Sequence, residues 1–134
     1  EFSLTIRTAL NFLDYVPVLF VSAKMGLRVK EVMAMALRVQ EERLTRIPTS
    51  ELNRILREAM DKQAPPTKAG QRLKIFYASQ VRVDPPTFLF HVNDSRLVHF
   101  TYERFLENQI RLAHPFIGTP LRLSFRNRAR AELE

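Results

Sequence analysis

The fold of this chain is decided by residues 72–92, which have the sequence RLKIFYASQVRVDPPTFLFHV. Leu73, Ile75 and Tyr77 occupy alternate positions in the first half of this stretch. Side chains that alternate in this way lie on one face of an extended chain. The pattern therefore predicts a β-strand over residues 72–83, with these three side chains on the same face.

A second strand follows the first after a short break. Asp84-Pro85-Pro86 predicts a turn, because proline fixes the backbone and cannot continue a strand ladder. Residues 87–92 are again rich in aromatic and β-branched side chains, which favours a strand. The two strands are expected to form a hairpin with a longer connecting loop.

Helices are predicted on both sides of this hairpin. The helix before it begins at Thr49 or Ser50, and its apolar side chains have the spacing of one helical face. These side chains are Leu52, Ile55, Leu56, Ala59 and Met60. A second helix is expected over residues 101–114 and a third strand from Leu121, giving the order α-β-β-α-β over residues 49–127. The predicted fold class is α+β, with two helices on one face of a three-stranded sheet.

The chain before this module predicts a helix-strand-helix unit. Residues 1–13 are typical of the end of a helix, and residues 29–43 have an apolar stripe typical of a second one. Between them, Val16–Val21 is a short apolar run rich in β-branched residues. Such a run indicates a strand buried on both faces of a parallel sheet. We interpret the unit as the remnant of an α/β domain.

A proline marks the boundary between the two units. Pro48 disfavours helix in the residue before it, which predicts domains over residues 1–47 and 48–134. The strand predicted in the first unit has no predicted neighbour, so its edges and apolar surface would be open. We expect it to be disordered, to pack on the second unit, or to pair with another copy in a dimer formed through the N-terminal segment.

The composition favours an anionic partner. The chain has 21 Lys and Arg against 14 Asp and Glu, a formal charge of +7. This balance favours nucleic acid, although a basic soluble domain without such a partner has the same composition. There is no cysteine, which excludes disulfides and thiolate chemistry and fits the cytoplasm. No apolar run is long enough to span a membrane, no signal peptide is recognised, and the start at Glu1-Phe2 indicates a piece of a longer protein.

No catalytic or metal site is expected. A phosphate-binding loop requires closely spaced glycines and a lysine, and the three glycines lie far apart, at Gly26, Gly70 and Gly118. The histidines are equally dispersed, at His91, His99 and His114. The chain is therefore predicted not to be an enzyme by itself and to hold no cofactor.

Basic side chains on the predicted strands are the candidate binding residues. They are Arg72, Lys74 and Arg82 on the first strand, Arg122 and Arg126 on the last, and Arg128 and Arg130 in the tail. Arginine pairs with phosphate through two hydrogen bonds, so a basic sheet face would bind RNA; the alternative is an ordinary solvated face. Aromatic side chains are interleaved with them, and these either stack on bases or belong to the core. They are Phe76, Tyr77, Phe88 and Phe90.

Several strings of residues resemble the C-terminal domain of the EngA/Der family of tandem GTPases. They are residues 20–24 (FVSAK), 46–53 (RIPTSELN), 65–68 (PPTK), 73–80 (LKIFYASQ), 85–88 (PPTF), 92–94 (VND), 97–100 (LVHF) and 118–122 (GTPLR). The resemblance implies two consecutive GTPase domains followed by a KH-like domain, and a role in late assembly of the large bacterial ribosomal subunit. Residues 48–134 resemble the KH-like domain, and residues 1–47 the end of the second GTPase domain.

The resemblance also implies a site and its limits. Ser22, Ala23 and Lys24 resemble the loop that contacts guanine, so GTP or GDP is the ligand expected for the full-length protein. The phosphate loop, the switch segments and the Asn-Lys-x-Asp motif are not in this chain, so no GTP hydrolysis is expected from it. The Gly-x-x-Gly loop of ordinary KH domains is also missing, which leaves both RNA and protein as partners.

Two functions remain open at this point. The first is a noncatalytic module that docks on ribosomal RNA and the large ribosomal subunit. The second is an intramolecular module that packs against its own GTPase domains and senses their nucleotide state. No membrane partner is expected, and an independent enzyme is a third hypothesis.

Overall fold

A computed structural model describes residues 2–128 of the chain. It contains four α-helices, which are α1 (Phe2–Ala9), α2 (Val29–Arg43), α3 (Thr49–Lys62) and α4 (Phe100–Ala113). The strands are β1 (Thr67–Lys68), β2 (Gln71–Arg72), β3 (Ile75–Arg82), β4 (Thr87–Val92) and β5 (Arg122–Asn127). Short 3₁₀ helices occupy Asn11–Leu13 and Ser95–Leu97.

The main sheet has three strands in the order β3-β4-β5. β3 and β4 are antiparallel, as expected for a hairpin, and Ala78 lies opposite Phe90. β5 is parallel to β4, with Phe90 opposite Phe125. A parallel pair requires a crossover connection, and α4 provides it. The α+β class and the order α-β-β-α-β are therefore confirmed.

Helices α3 and α4 cover one face of this sheet, as predicted. The side chains that α3 buries include Leu52, Ile55 and Leu56, and α4 buries Tyr102, Leu106 and Ile110. They meet the inward side chains of the sheet, of which Phe88, Phe90 and Val92 are almost fully buried. This cluster is the hydrophobic core, and its burial is the main contribution to stability.

The chain enters α3 along the edge strand β3, and Gln80 holds it there. The side chain of Gln80 is 6% exposed. Its Oε1 accepts from the Ile47 amide at 2.7 Å, and its Nε2 donates to the Thr45 carbonyl at 3.0 Å. Because a buried amide side chain needs partners for its polar atoms, these bonds fix residues 45–47 against the sheet. Ile47 itself is 2% exposed and belongs to the core.

The first strand is shorter than predicted. Residues 72–83 do not form one strand, since β2 ends at Arg72 and β3 begins at Ile75. The side chain of Asn93 replaces a neighbouring strand at this point. Its Oδ1 accepts from the Lys74 amide at 2.8 Å, and its Nδ2 donates to the Arg72 carbonyl at 3.1 Å. The residues before this break form a separate ribbon, in which β2 pairs with β1.

The strand predicted at Val16–Val21 is not formed. The pairing in this region is a single bridge between Ser22 and Leu27. The apolar pattern indicates a buried strand, but a strand needs a hydrogen-bonded neighbour, and no described strand lies beside this run. The helices on either side are present as α1 and α2, although α1 ends at Ala9 rather than near residue 13.

The N-terminal segment, residues 2–44, packs instead against the loop after α4. The amide of Gly118 donates to the Tyr15 carbonyl at 2.8 Å. Arg43 also forms an ion pair with Asp84, at the turn between β3 and β4. Packing on the later part of the chain, one of the three alternatives for this segment, is therefore observed, while many of its apolar side chains remain exposed.

Candidate nucleic-acid interface

The face of the three-stranded sheet opposite the helices is open, and we call it the outer sheet face. Its residues alternate with buried ones along β4, and with half-buried ones along β5 from Arg122 to Arg126. Cross-strand pairing arranges them in three rows. The rows are Tyr77–His91–Arg126, Ser79–Leu89–Ser124 and Arg82–Thr87–Arg122. An arginine therefore lies in the first row and two lie in the third.

The first row contains a stacked pair of rings. The Tyr77 and His91 rings have centroids 4.2 Å apart and planes inclined by 16°. Arg126 lies opposite His91 on the next strand and is exposed. The row therefore places an aromatic surface and a guanidinium side by side, the two groups that bind bases and phosphates.

The third row lies at the other end of the same face. Arg82 and Arg122 flank Thr87, and both arginines are exposed. Because a strand rises by about 3.3 Å per residue, the four positions from Thr87 to His91 separate the two rows by about 13 Å. The sequence prediction that Arg122 and Arg126 share one strand face agrees with this arrangement.

Two further candidates lie at the end of the sheet near the first row. The Arg128 guanidinium carbon lies 4.5 Å from the centre of the Phe76 ring, a cation–π contact. The Arg128 amide donates to the Val92 carbonyl at 2.9 Å, which continues the pairing beyond β5. Lys74 is exposed beside the same strand end, where its carbonyl accepts from the Asn93 amide at 3.1 Å.

The remaining basic candidate is separated from this surface. Arg72 is exposed on the β1–β2 ribbon, which is not part of the three-stranded sheet. Arg72 and Lys74 were predicted in one strand with Arg82, and this is wrong because Asn93 interrupts the strand. Arg130 lies outside the described residues.

Among the described residues, the arginines of the outer sheet face have no ion-pair partner. The ion pairs within residues 2–128 involve other basic side chains, such as Arg96 with Asp94. The Arg96 guanidinium donates to the Asp94 carboxylate at 2.9 Å, and this hydrogen bonding lowers the pKa of Asp94. By contrast, Arg82, Arg122 and Arg126 are available to an anion from solvent.

The aromatic side chains divide between the core and the outer sheet face. Phe88 and Phe90 are buried, as the core interpretation predicts. Tyr77 was expected on the same face as Leu73 and Ile75 but points the other way and is 40% exposed. The reason is a register shift between Ile75 and Tyr77, where one extra residue of β3 reverses the alternation. Sequence alternation does not reveal such a bulge, so the Tyr77–His91 pair was missed.

The residues proposed for guanine contact form a closed loop. The Ser22 amide donates to the Leu27 carbonyl at 3.1 Å, and the Leu27 amide donates to the Ser22 carbonyl at 3.0 Å. The Ser22 hydroxyl also accepts from the Met25 amide at 3.3 Å. Ala23 and Lys24 are exposed at the tip of this loop. The loop is therefore ordered by its own backbone, and it lies apart from the outer sheet face in sequence and in its contacts.

Another arginine, Arg111, lies where the N-terminal segment meets the loop after α4. Arg111 donates to the carbonyls of Pro115, Phe116 and Thr119 at 3.0, 3.2 and 2.9 Å. Its guanidinium carbon lies 4.2 Å from the centre of the Tyr15 ring. Burial lowers the pKa of Arg111. This arginine thus orders the loop and contacts the N-terminal segment rather than offering its charge to solvent.

Metal sites and membrane-spanning helices are both absent from residues 2–128. No group of three or more His, Asp or Glu side chains in that range is placed to hold a metal ion. In the same range, none of the helices combines the length and apolar character that crossing a bilayer requires.

The topology and the open basic face together define a class of domain. Two helices on one face of a mixed three-stranded sheet, connected in the order α-β-β-α-β, make a KH-like domain. The chain belongs to the family described as KH-domain-like of EngA bacterial GTPase enzymes, C-terminal, which it matches over residues 46–126.

Curated relatives support the same assignment. The chain is 49% identical over 125 residues to a protein named GTPase Der from Thermomicrobium roseum, covering 93% of this chain and 27% of that protein. A GTPase Der from Symbiobacterium thermophilum is 48% identical over 128 residues, covering 96% of this chain and 27% of the relative. One from Chloroflexus aggregans is 46% identical over 133 residues, covering 98% and 30%. The chain thus spans less than a third of the length of these relatives.

Proposed function

We propose that this chain is the C-terminal part of a GTP-binding protein that acts in assembly of the large ribosomal subunit in the cytoplasm. Its KH-like domain, residues 48–134, docks on ribosomal RNA and performs no chemistry. Residues 1–47 belong to the end of a GTPase domain. The observation that carries the proposal is the outer sheet face, on which Arg82, Arg122 and Arg126 are exposed and have no ion-pair partner among residues 2–128.

Phosphate binding by this face follows from the chemistry of arginine. A guanidinium donates two parallel hydrogen bonds to a phosphate and keeps its charge at any physiological pH. Contacts to the backbone carry no sequence information, so the face binds RNA with little sequence preference. Each neutralised phosphate releases counterions, and affinity therefore falls steeply as salt increases.

The proposal for GTP concerns a longer protein. The loop of Ser22, Ala23 and Lys24 is closed by its own backbone bonds and exposes its tip, as a base-contacting loop requires. The relatives are named as GTPases. We place GTP or GDP at this loop in the full-length protein, with the phosphate-binding residues supplied by its other parts. The 134-residue chain alone binds no nucleotide in this proposal.

Charge reversal on the outer sheet face tests the docking function. The double variant Arg122→Glu, Arg126→Glu should weaken binding of large-subunit ribosomal RNA by about tenfold or more, since it removes two phosphate contacts and adds repulsion. The matched control is Arg57→Glu, Arg104→Glu, which changes the net charge equally at exposed positions of α3 and α4. Equal losses in the two double variants would show that only net charge matters and would contradict a docking face.

A second function is favoured by the contact between the N-terminal segment and the loop after α4. Gly118 donates to Tyr15, and Arg111 stacks on the Tyr15 ring. Tyr15 lies seven residues before Ser22, so this contact joins the KH-like domain to the chain that leads to the proposed guanine loop. An open groove of about 620 Å³ lies beside it, lined by residues that include Arg7, Arg38 and Arg111. A module that senses nucleotide state would use such a loosely packed junction.

One experiment separates the two functions. Hydrogen exchange at the Gly118 amide reports the junction, because that amide donates to the Tyr15 carbonyl. If Arg122→Glu, Arg126→Glu abolishes association with the large subunit while Gly118 exchange is unchanged, the docking function is supported. If ribosome association survives and Gly118 exchange accelerates, the intramolecular function is supported.

A further inference from the structure

We propose that the outer sheet face binds single-stranded RNA, with an unpaired base stacked on the Tyr77 ring and the adjoining phosphates bound by Arg126 and Lys74. This inference rests on the proposed docking function and adds the part of the RNA that is recognised. It assigns a role to Tyr77 and His91, whereas the docking function was argued from the basic residues alone.

The position of Tyr77 makes its ring available. β3 is an edge strand, so one side of Tyr77 faces His91 on β4 and the other side faces no strand of the sheet. The ring stacks on His91 at 4.2 Å, and the residue keeps 40% of its surface exposed. The imidazole holds the ring in place, and a base added on the open side extends the stack from two rings to three. Base–aromatic stacking of this kind is a general mode of single-strand binding.

The charges around this ring favour a polyanion. Of the ionisable side chains on the outward positions of the three rows, all but Tyr77 and His91 are arginines. The acidic side chain nearest in sequence to this face is Asp84, at the turn after Arg82, and it is paired with Arg43. Lys74 and Arg128 add positive charge at the strand end where the stacked pair lies. A strand of RNA that crosses the face therefore meets cations at both ends of the sheet.

The same geometry favours unpaired bases over a duplex. In an A-form helix the bases are stacked on one another inside the duplex, and their faces are not available to a protein ring. A stacking platform on an open, three-stranded sheet reaches only bases that are already unstacked. Because every base has a flat aromatic face, such a platform selects single strands without selecting a sequence.

Substitution of Tyr77 tests the stacking. We expect Tyr77→Leu to weaken binding of a single-stranded oligoadenylate of about 12 nucleotides by roughly tenfold, and Tyr77→Phe to retain binding because the ring is kept. The slope of log affinity against log salt should be unchanged in Tyr77→Leu, since no phosphate contact is lost. In Arg126→Gln the slope should become shallower by about 0.7, the value for one phosphate on a single strand.

A matched control removes an aromatic ring elsewhere. Phe100 is 66% exposed at the start of α4, away from the outer sheet face, so Phe100→Leu should leave oligoadenylate binding unchanged. Circular dichroism and thermal unfolding of each variant confirm that the fold is retained. A duplex RNA of the same length should compete more weakly than the single strand.

The outcomes distinguish this inference from the function on which it rests. If Arg126→Gln weakens binding and flattens the salt slope but Tyr77→Leu does not weaken it, the stacking is overturned and the docking function stands. Equal competition by duplex and single strand also overturns the stacking. If neither variant changes RNA binding, both proposals fail, and the face is then a surface for a protein partner.

Discussion

Gly118 is a residue at which the N-terminal segment lies close to the KH-like domain, since its amide donates to the Tyr15 carbonyl. Its φ is +72°, a conformation that glycine adopts without strain. A Cβ at this position would lie 2.7 Å from Cγ2 and 3.0 Å from Cγ1 of Val39, on α2. The sequence shows the glycine but does not reveal its contact with Val39, because the two residues are distant along the chain.

We predict that Gly118→Ala destabilises the chain and loosens this contact. The positive φ costs about 1 kcal/mol for a residue with a side chain, and the overlap with Val39 adds to it. Gly70→Ala is the control, since Gly70 has a φ of +78° but no atom within 4 Å of its Cβ position. Urea unfolding should show a larger loss for Gly118→Ala than for Gly70→Ala. If the two variants lost the same free energy of unfolding, Val39 would have to move away from the new Cβ at no cost.

Tyr102 gives a prediction for alkaline pH. The side chain is 2% exposed, and its hydroxyl donates to the Gln63 carbonyl at 2.9 Å. Burial raises the pKa of Tyr102 from 10.0 to about 12. The protonated form is thus favoured by folding, and the stability it contributes is complete below pH 10 and lost as the pH rises towards 12.

The measurement is urea unfolding at several pH values between 9 and 12. The free energy of unfolding should fall by up to about 1.4 kcal/mol per pH unit in this window through Tyr102. Tyr102→Phe should be less stable near neutral pH, because it loses the bond to Gln63, but should show a shallower alkaline decline. An identical decline in both proteins would contradict the assignment to Tyr102.

At the scale of elements, β3 is an edge strand that the chain itself protects. The side-chain amide of Asn53, on α3, pairs with the backbone of Ala78 as a neighbouring strand would. Its Nδ2 donates to the Ala78 carbonyl and its Oδ1 accepts from the Ala78 amide, both at 2.9 Å. Such pairing satisfies backbone groups that would otherwise invite another strand.

We predict that Asn53→Leu exposes this edge. Loss of two hydrogen bonds that satisfy a partly buried backbone should cost about 2 kcal/mol, and hydrogen exchange at the Ala78 amide should accelerate. Asn108→Leu, at an exposed position of α4, is the control and should change neither quantity appreciably. Slow exchange at Ala78 in Asn53→Leu would show that the edge is protected by another contact.

The elements also show what the sequence could and could not predict. α3 and α4 were predictable because their apolar spacing follows from a buried face that lies within each helix. Val16–Val21 was predicted as a strand and is not one, because strand formation depends on a partner that hydrophobicity does not record. Arg122 and Arg126 were placed together by simple alternation, whereas Tyr77 was assigned to the wrong face because the bulge before it is invisible in the pattern.

For the whole molecule, the N-terminal segment is the part that lacks a complete core. Its exposed apolar side chains include Phe2, Met25, Met33 and Leu37, which are 76%, 82%, 67% and 59% exposed. An apolar surface of this kind is normally covered by another part of the chain or by a partner. We expect the rest of the GTPase domain to cover it in the proposed full-length protein.

We predict that the 134-residue chain self-associates through this surface. Sedimentation equilibrium should show a mass above the 15.7 kDa of one chain, rising with concentration. Met33→Glu with Leu37→Lys, on exposed positions of α2, should return it to a monomer without changing the net charge. A wild-type chain that stays monomeric at all concentrations would contradict dimerisation through the N-terminal segment.

The central claim is that unpaired arginines on one sheet face bind the phosphates of ribosomal RNA. The most direct measurement is the affinity of the 134-residue chain for large-subunit ribosomal RNA as salt is raised from about 50 to 200 mM. Our account predicts that log affinity falls linearly with log salt. The slope should be shallower in the triple variant that combines Arg82→Gln, Arg122→Gln and Arg126→Gln. An affinity that does not depend on salt, or the same slope in the wild-type chain and the triple variant, would contradict the central claim.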